Sequence, residues 1–194
     1  LNEQSEILYL SRCPDVINAQ EGFFDVESVW PKLEQALRQA ISNLVAMRET
    51  EGSNIYGDFI KRADLIAEKL AVIEERSPQV VEEYQTRLSD RINELLAKHN
   101  QVIEPERLLQ EVAIFADRTS ITEEIVRLKS HIKQFRLIID ADQPVGRKLD
   151  FLIQEFNREA NTIASKANDY TLAQVVVEIK AEIEKIREQI QNIE

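Results

Sequence analysis

Four polar residues with short side chains recur at helical spacing near the middle of the second half of the chain: Asp150, Gln154, Asn157 and Asn161. At ~100° per residue they fall within roughly 60° of one another, with Arg147, Arg158 and Ser165 along the same edge. Leu149, Ile153, Phe156, Ala160 and Ile163 line the opposite, apolar side. Asn and Asp compete with the backbone for hydrogen bonds and are disfavoured inside helices, so a merely solvated face would carry Glu and Lys instead. Two chemistries would retain them. One is a buried amide network between helices; the other is a set of hard oxygen ligands beside Arg donors, suited to magnesium or manganese and a phosphodiester.

A second constellation lies upstream, where Glu124 and His131 are seven residues apart and Arg127 stands between them on the same flank. An imidazole flanked by Arg127, Lys129 and Lys133 is placed to pass protons at neutral pH, whereas as an ordinary surface histidine on a basic helix it is idle. His99 reads as a partner for a helix C-terminal dipole. There is no Gly-rich phosphate loop, nucleophile elbow or HExxH, which excludes the commoner motif-bearing hydrolases and nucleotide binders but not a nuclease built from scattered carboxylates.

The elements that must position these groups are helices. The 194 residues are 43% hydrophobic and 30% charged with Gly 4 and Pro 5, enough for a sizeable core and too poor in turn glycines for a β-sandwich. A net charge of −11 argues against indiscriminate nucleic-acid binding, although residues 118–148 hold seven basic residues against four acidic. Cys13 is alone, so it forms no internal disulfide and reads as a small buried hydrophobe. With no long apolar run, and Glu3 and Glu6 where a signal peptide would be basic, the expectation is a cytoplasmic protein without a membrane partner.

Proline and glycine mark the helix ends. Leu33, Leu37, Ile41, Leu44 and Met47 give a helix over 27–49 running toward Gly52, and residues 16–24 read as a loop. Phe59, Ala63, Ile66, Leu70 and Ile73 form the next stripe, which stops at Ser77-Pro78; there Ser77 caps and Pro78 opens a new helix through Val81, Leu88, Ile92 and Leu95. These two predict a long antiparallel helical hairpin whose outer face, including Leu70 and Leu88, meets other subunits. Pro105 opens another helix, Ser120 and Glu123 match a capping box before the next, and the helix over 147–167 pairs with the heptad seam of Leu172, Val176, Ile179, Ile183, Ile186, Ile190 and Ile193. The predicted fold class is an all-α helical bundle, divided as 1–56, a linker with first helices; 57–103, the hairpin arm; and 104–194, a C-terminal helical domain.

The run PVGRKLDFLIQEFNREANTIASK over 144–166 resembles the signature of the YicC/YloC family of bacterial endoribonucleases, and the blocks at 48–52, 123–128 with His131, and 180–194 are similar to the same family. The resemblance covers the family's C-terminal two-thirds and implies that an N-terminal α/β region is absent. It implies a Mn2+- or Mg2+-dependent, single-strand-favouring endoribonuclease with no small-molecule cofactor, acting in stress and RNA turnover. It also implies a homohexamer, or a trimer if the absent region supplies half the contacts. On that implication His131 carries protons, and Glu124, Asp150, Glu155 and Glu159 supply catalytic carboxylates, the metal ligands being drawn from Glu124, Asp150, Asn157 and Glu159. Arg127, Arg147, Arg158 and Lys166 bind phosphate oxygens, and Lys129, Lys133 and Arg136 hold the RNA backbone. The competing reading is a non-catalytic RNA-binding adaptor or scaffold ring that recruits another nuclease and uses the amide stripe between subunits.

Overall fold

The computed structural model describes residues 3–10, 13, 26–97, 104–191 and 193. Among them are six helices and no strand: α1 Glu3–Leu10, α2 Val26–Ala97, α3 Pro105–Thr119, α4 Thr122–Ile139, α5 Gly146–Lys166 and α6 Tyr170–Ile190. The all-α expectation holds, while the loop over 16–24 and His99 lie outside the described residues. No helix among those described is long and apolar enough to cross a membrane.

The chain divides into two compact units, Leu1–Thr50 and Glu51–Glu194. In the first, Leu33, Leu37, Ile41, Leu44 and Met47 are helical as their spacing predicts, and all five are exposed. Cys13 is half-buried rather than buried, its Sγ donating to the Tyr9 carbonyl at 3.5 Å.

In the second unit, four stripes close on one core: Phe59, Ile66, Leu70 and Ile73 of α2; Leu128, Ile132 and Phe135 of α4; Leu149, Ile153, Phe156 and Ile163 of α5; and Leu172, Val176, Ile179, Ile183, Ile186 and Ile190 of α6. Each such side chain removed from water contributes about 1.5–3 kcal/mol. Phe135 joins the layers, edge-on to Phe59 at 5.5 Å and tilted against Phe156 at 6.0 Å. The heptad seam is buried along α6, and α5 packs against both α4 and α6.

The hairpin is corrected in one respect. Helix α2 runs unbroken through Gly52, Gly57 and Ser77-Pro78, so neither expected boundary forms. Proline at 78 removes the hydrogen bond to the Glu74 carbonyl and crowds it, a cost of about 3 kcal/mol in a free helix. Here the helix is held on both sides of the proline: Ile73 and Val80 are buried in the same core, and the Arg76 guanidinium spans position 78, reaching Glu83 Oε2 at 2.9 Å and Asp169 Oδ2 at 2.9 Å. Tyr84 of α2 and Phe115 of α3 stack with ring centroids 3.6 Å apart. Leu70 therefore belongs to the core of the unit and not to an outer face.

The capping box also gives way. Ile121 is buried, and the residue at the N-cap of α4 is Ile121 itself, without a side-chain cap, because anchoring it in the core takes Ser120 out of capping position. Helix α6 is capped instead by Asp169, whose Oδ1 accepts from the Leu172 N–H at 2.9 Å while Oδ2 meets Arg76. Asp169→Ala is expected to cost about 1–2 kcal/mol, read as a lower urea midpoint. The Arg76 hydrogen bond holds the Asp169 carboxyl below its ordinary range. The difference between wild type and variant should thus be complete above the ordinary aspartate pKa and shrink as pH falls through the depressed value, so the two curves converge in acid.

Candidate functional site

The seam between α4 and α5 carries charged groups at positions whose register is apolar. Glu124 stands three residues after Ile121 and four before Leu128; Glu159 stands three after Phe156 and four before Ile163. The periodicity that buries those neighbours carries both carboxylates inward with them. They are the two buried charged residues among those described, at 4% and 3% exposure.

One donor atom each from His131, Glu155 and Glu159 lie within 4.8 Å of one another, the one such His/Cys/Asp/Glu grouping among the described residues. The His131 ring lies along Phe156, with centroids 6.2 Å apart, and its Nδ1 is buried without a hydrogen-bond partner. Buried polar atoms are nearly always satisfied, so the partnerless Nδ1 is unusual, and one nitrogen of the same ring is grouped with the two carboxylates. A divalent ion with ligand bonds of about 2.0–2.2 Å needs donors no more than about 4.4 Å apart, and these lie within 4.8 Å of one another. The donor set fits such an ion. Around it, Arg127 lies 3.7 Å from Glu159 and also pairs with Glu123, while Arg158 lies 3.7 Å from Glu155.

Glu124 sits further along the seam, where Lys166 Nζ donates to its Oε1 at 2.7 Å and its Oε2 is buried without a partner. Burial pushes the Glu124 carboxyl up, but the Lys166 hydrogen bond, with help from its own backbone N–H, leaves it below the ordinary glutamate range. Glu124 and Lys166 are therefore engaged with each other.

Asp150 and Asn157 are on the other edge of α5. With Gln154, Asn161, Arg158 and Arg187 of α6 they line a groove of about 670 Å³. Gln154 Nε2 donates to Asp150 Oδ2 at 3.0 Å, and neither Asn157 nor Asn161 has a side-chain hydrogen-bond partner among the described residues. Among the described residues, the interhelical amide network that would have explained the stripe is not formed. Of the carboxylates singled out from sequence, the structure brings Glu155 and Glu159 to His131 and sets Glu124 and Asp150 apart.

The basic residues divide as well. Lys129 reaches Glu74 at 2.6 Å and Arg136 reaches Asp64 at 2.6 Å, clasping α4 to α2, while Lys133 is exposed and makes neither contact. Arg147 and Lys148, at the start of α5, line a cavity of about 400 Å³ with Phe151, Leu152, His131 and Glu155. Phe151 is 65% exposed there, an aromatic face that sequence reading did not single out. Its signal was a bulky apolar residue among the charges of a polar helical edge.

Two family patterns match the chain. One described as Endoribonuclease YicC-like, C-terminal, covers residues 73–194, and one described as Endoribonuclease YicC-like, N-terminal region, covers residues 2–57. A Clostridioides difficile (strain 630) protein named probable endoribonuclease YicC is 48% identical over 188 residues, covering 97% of this chain and 64% of that protein. A Haemophilus influenzae (strain ATCC 51907 / DSM 11121 / KW20 / Rd) protein of the same name is 37% identical over 183 residues, covering 94% of this chain and 62% of its own length. The chain thus spans a little under two-thirds of each of these relatives.

Proposed function

This chain belongs to the YicC-like endoribonuclease family, and from that premise we propose that it carries the catalytic groups of a divalent-metal-dependent endoribonuclease, with Mn2+ or Mg2+ held by His131, Glu155 and Glu159. The observation that carries this reading is the convergence of one His131 ring nitrogen with the Glu155 and Glu159 carboxylates, on a ring whose buried Nδ1 has no hydrogen-bond partner. An imidazole in the set favours Mn2+ over Mg2+, which prefers oxygen ligands and its own waters. When bound, the ion polarises the scissile phosphate and makes a water molecule nucleophilic near neutral pH.

The chain's own groups supply the rest. Arg127 and Arg158 stand beside the two ligating carboxylates, where their guanidiniums meet the phosphate oxygens of a strand laid along α5. Arg147 and Lys148 extend this positive edge past the 400 Å³ cavity, and Phe151 offers a face on which an unpaired base stacks. Paired bases have no such free face, which supports preference for single strands. Asp150 and Asn157 contribute nothing to the ligand set in this arrangement. Lys129 and Arg136 spend their charge largely on α2, leaving Lys133 as the backbone contact of that trio. Assembly into a homo-oligomeric ring, a hexamer or trimer, is part of the reading, and the exposed apolar stripe of α2 between Leu33 and Met47 supports it.

The test uses the full-length protein and a single-stranded RNA, with metal removed by EDTA and then restored. Cleavage absent in EDTA and restored by Mn2+ is expected. Undiminished RNA binding with no cleavage under any divalent metal would instead favour the adaptor.

A further inference from the structure

We propose that the groove between α5 and α6 reads one unpaired adenine of the bound strand, and so sets where the strand is cut. The proposal rests on the reading of the chain as a binder of single-stranded RNA. Asn157 and Asn161 occupy helix-interior positions that their side chains disfavour, they lie in a groove of about 670 Å³, and their side chains have no hydrogen-bond partner among the described residues. Their donors and acceptors face a ligand or water only. A carboxamide presents an N–H donor and a C=O acceptor side by side, the complement of the amino group and ring nitrogen that adenine carries on two edges, N6/N1 and N6/N7, and cytosine on its pairing edge alone.

Asp150 sharpens the choice. Its carboxylate is acceptor-only, and Gln154 donates to it at 3.0 Å while Gln154 Oε1 has no partner among the described residues. Both acceptors welcome an exocyclic amino group and repel the exocyclic oxygen that uracil or guanine would place there. Arg187, reaching in from α6 and held only at 3.6 Å by Glu184, has donors to spare for the adjoining phosphate.

Position connects this groove to the metal cluster. Asn157 and Asn161 lie roughly 120–160° around α5 from Glu155 and Glu159, on a helix ~10 Å across. A strand whose phosphate meets Glu155 and Glu159 reaches the groove by crossing the exposed crest of α5, where Arg158 and Phe151 stand. At ~3.4 Å per stacked nucleotide, the base read lies within about three nucleotides of the cut.

Fluorescence anisotropy of the full-length protein with oligo(A), oligo(C) and oligo(U) of equal length, all in EDTA, tests the proposal without any cleavage. Wild type should favour oligo(A) by about tenfold or more, as good bidentate contacts allow. The double variant Asn157→Ala/Asn161→Ala, whose alanines suit a helix at least as well, should bring the three affinities within about twofold while oligo(U) binding and the mass by light scattering stay unchanged. Equal wild-type affinities, a preference that survives in the variant, or a drop in mass marking the stripe as an intersubunit contact would each overturn the base-reading role. Failure to bind any of the three oligomers would overturn the RNA reading itself.

Discussion

Glu159→Gln in the full-length protein is expected to lower RNA cleavage by about 10²–10⁴-fold while RNA affinity changes by no more than about threefold. The carboxylate is 3% exposed, its nearest cation is 3.7 Å away, and Glu155 lies beside it, so its charge is poorly compensated when no ion is bound. Neutralising it with an isosteric amide should leave the metal-free protein as stable as wild type or more so, since a buried, ill-paired charge is a burden on the fold. Adding Mn2+ at 100 times its Kd should raise wild-type stability by about 2.7 kcal/mol. The variant should show little of that gain. A group kept for structure would give the opposite pattern, with stability falling on substitution and no response to metal.

Leu70→Asp should abolish cooperative unfolding of the helical unit, and Leu70→Ala should lower its stability by about 2–5 kcal/mol. Leu70 is fully buried between Ile66 and Ile73 on the α2 stripe that closes against α4, α5 and α6. A carboxylate there has no partner and no water. Circular dichroism during a urea titration reads the effect directly. If Leu70→Asp instead gave a folded protein of lower mass, Leu70 would belong to an interface between subunits and the core described above would be wrong.

The helical stripes were legible because each is long and strongly periodic: the five residues from Phe59 to Ile73 and the seam from Leu172 to Ile190 are buried as their spacing demands. The continuity of α2 through Ser77-Pro78 was not legible, because a Ser-Pro pair is a local stop signal and the forces that override it are distant in sequence, namely the burial of Val80 and the clasp from Arg76 to Asp169. The Ser120 capping box failed for a related reason, since a single buried residue, Ile121, fixed the entry to α4.

For the site, sequence reading dwelt on the amide stripe because its composition is unusual for a helix. The convergent groups lie on the opposite edge of α5. Their signal was a different one: Glu159 and Glu124 are charges at core registers, each three or four residues from large apolar side chains on either side. Glu124 lies two turns of α4, about 10.5 Å, from His131 and cannot reach it; that Glu159 does depends on how α4 lies against α5, an offset set by packing between Phe156 and Phe135 and not by spacing along either helix.

The most direct measurement is electron spin-echo envelope modulation of Mn2+ bound to this 194-residue chain. Wild type and His99→Gln should both show coupling of the ion to an imidazole nitrogen, and His131→Gln should lose it, these being the two histidines of the chain. Bound Mn2+ without nitrogen coupling in wild type, or coupling that persists in His131→Gln, would contradict a metal site at His131, Glu155 and Glu159.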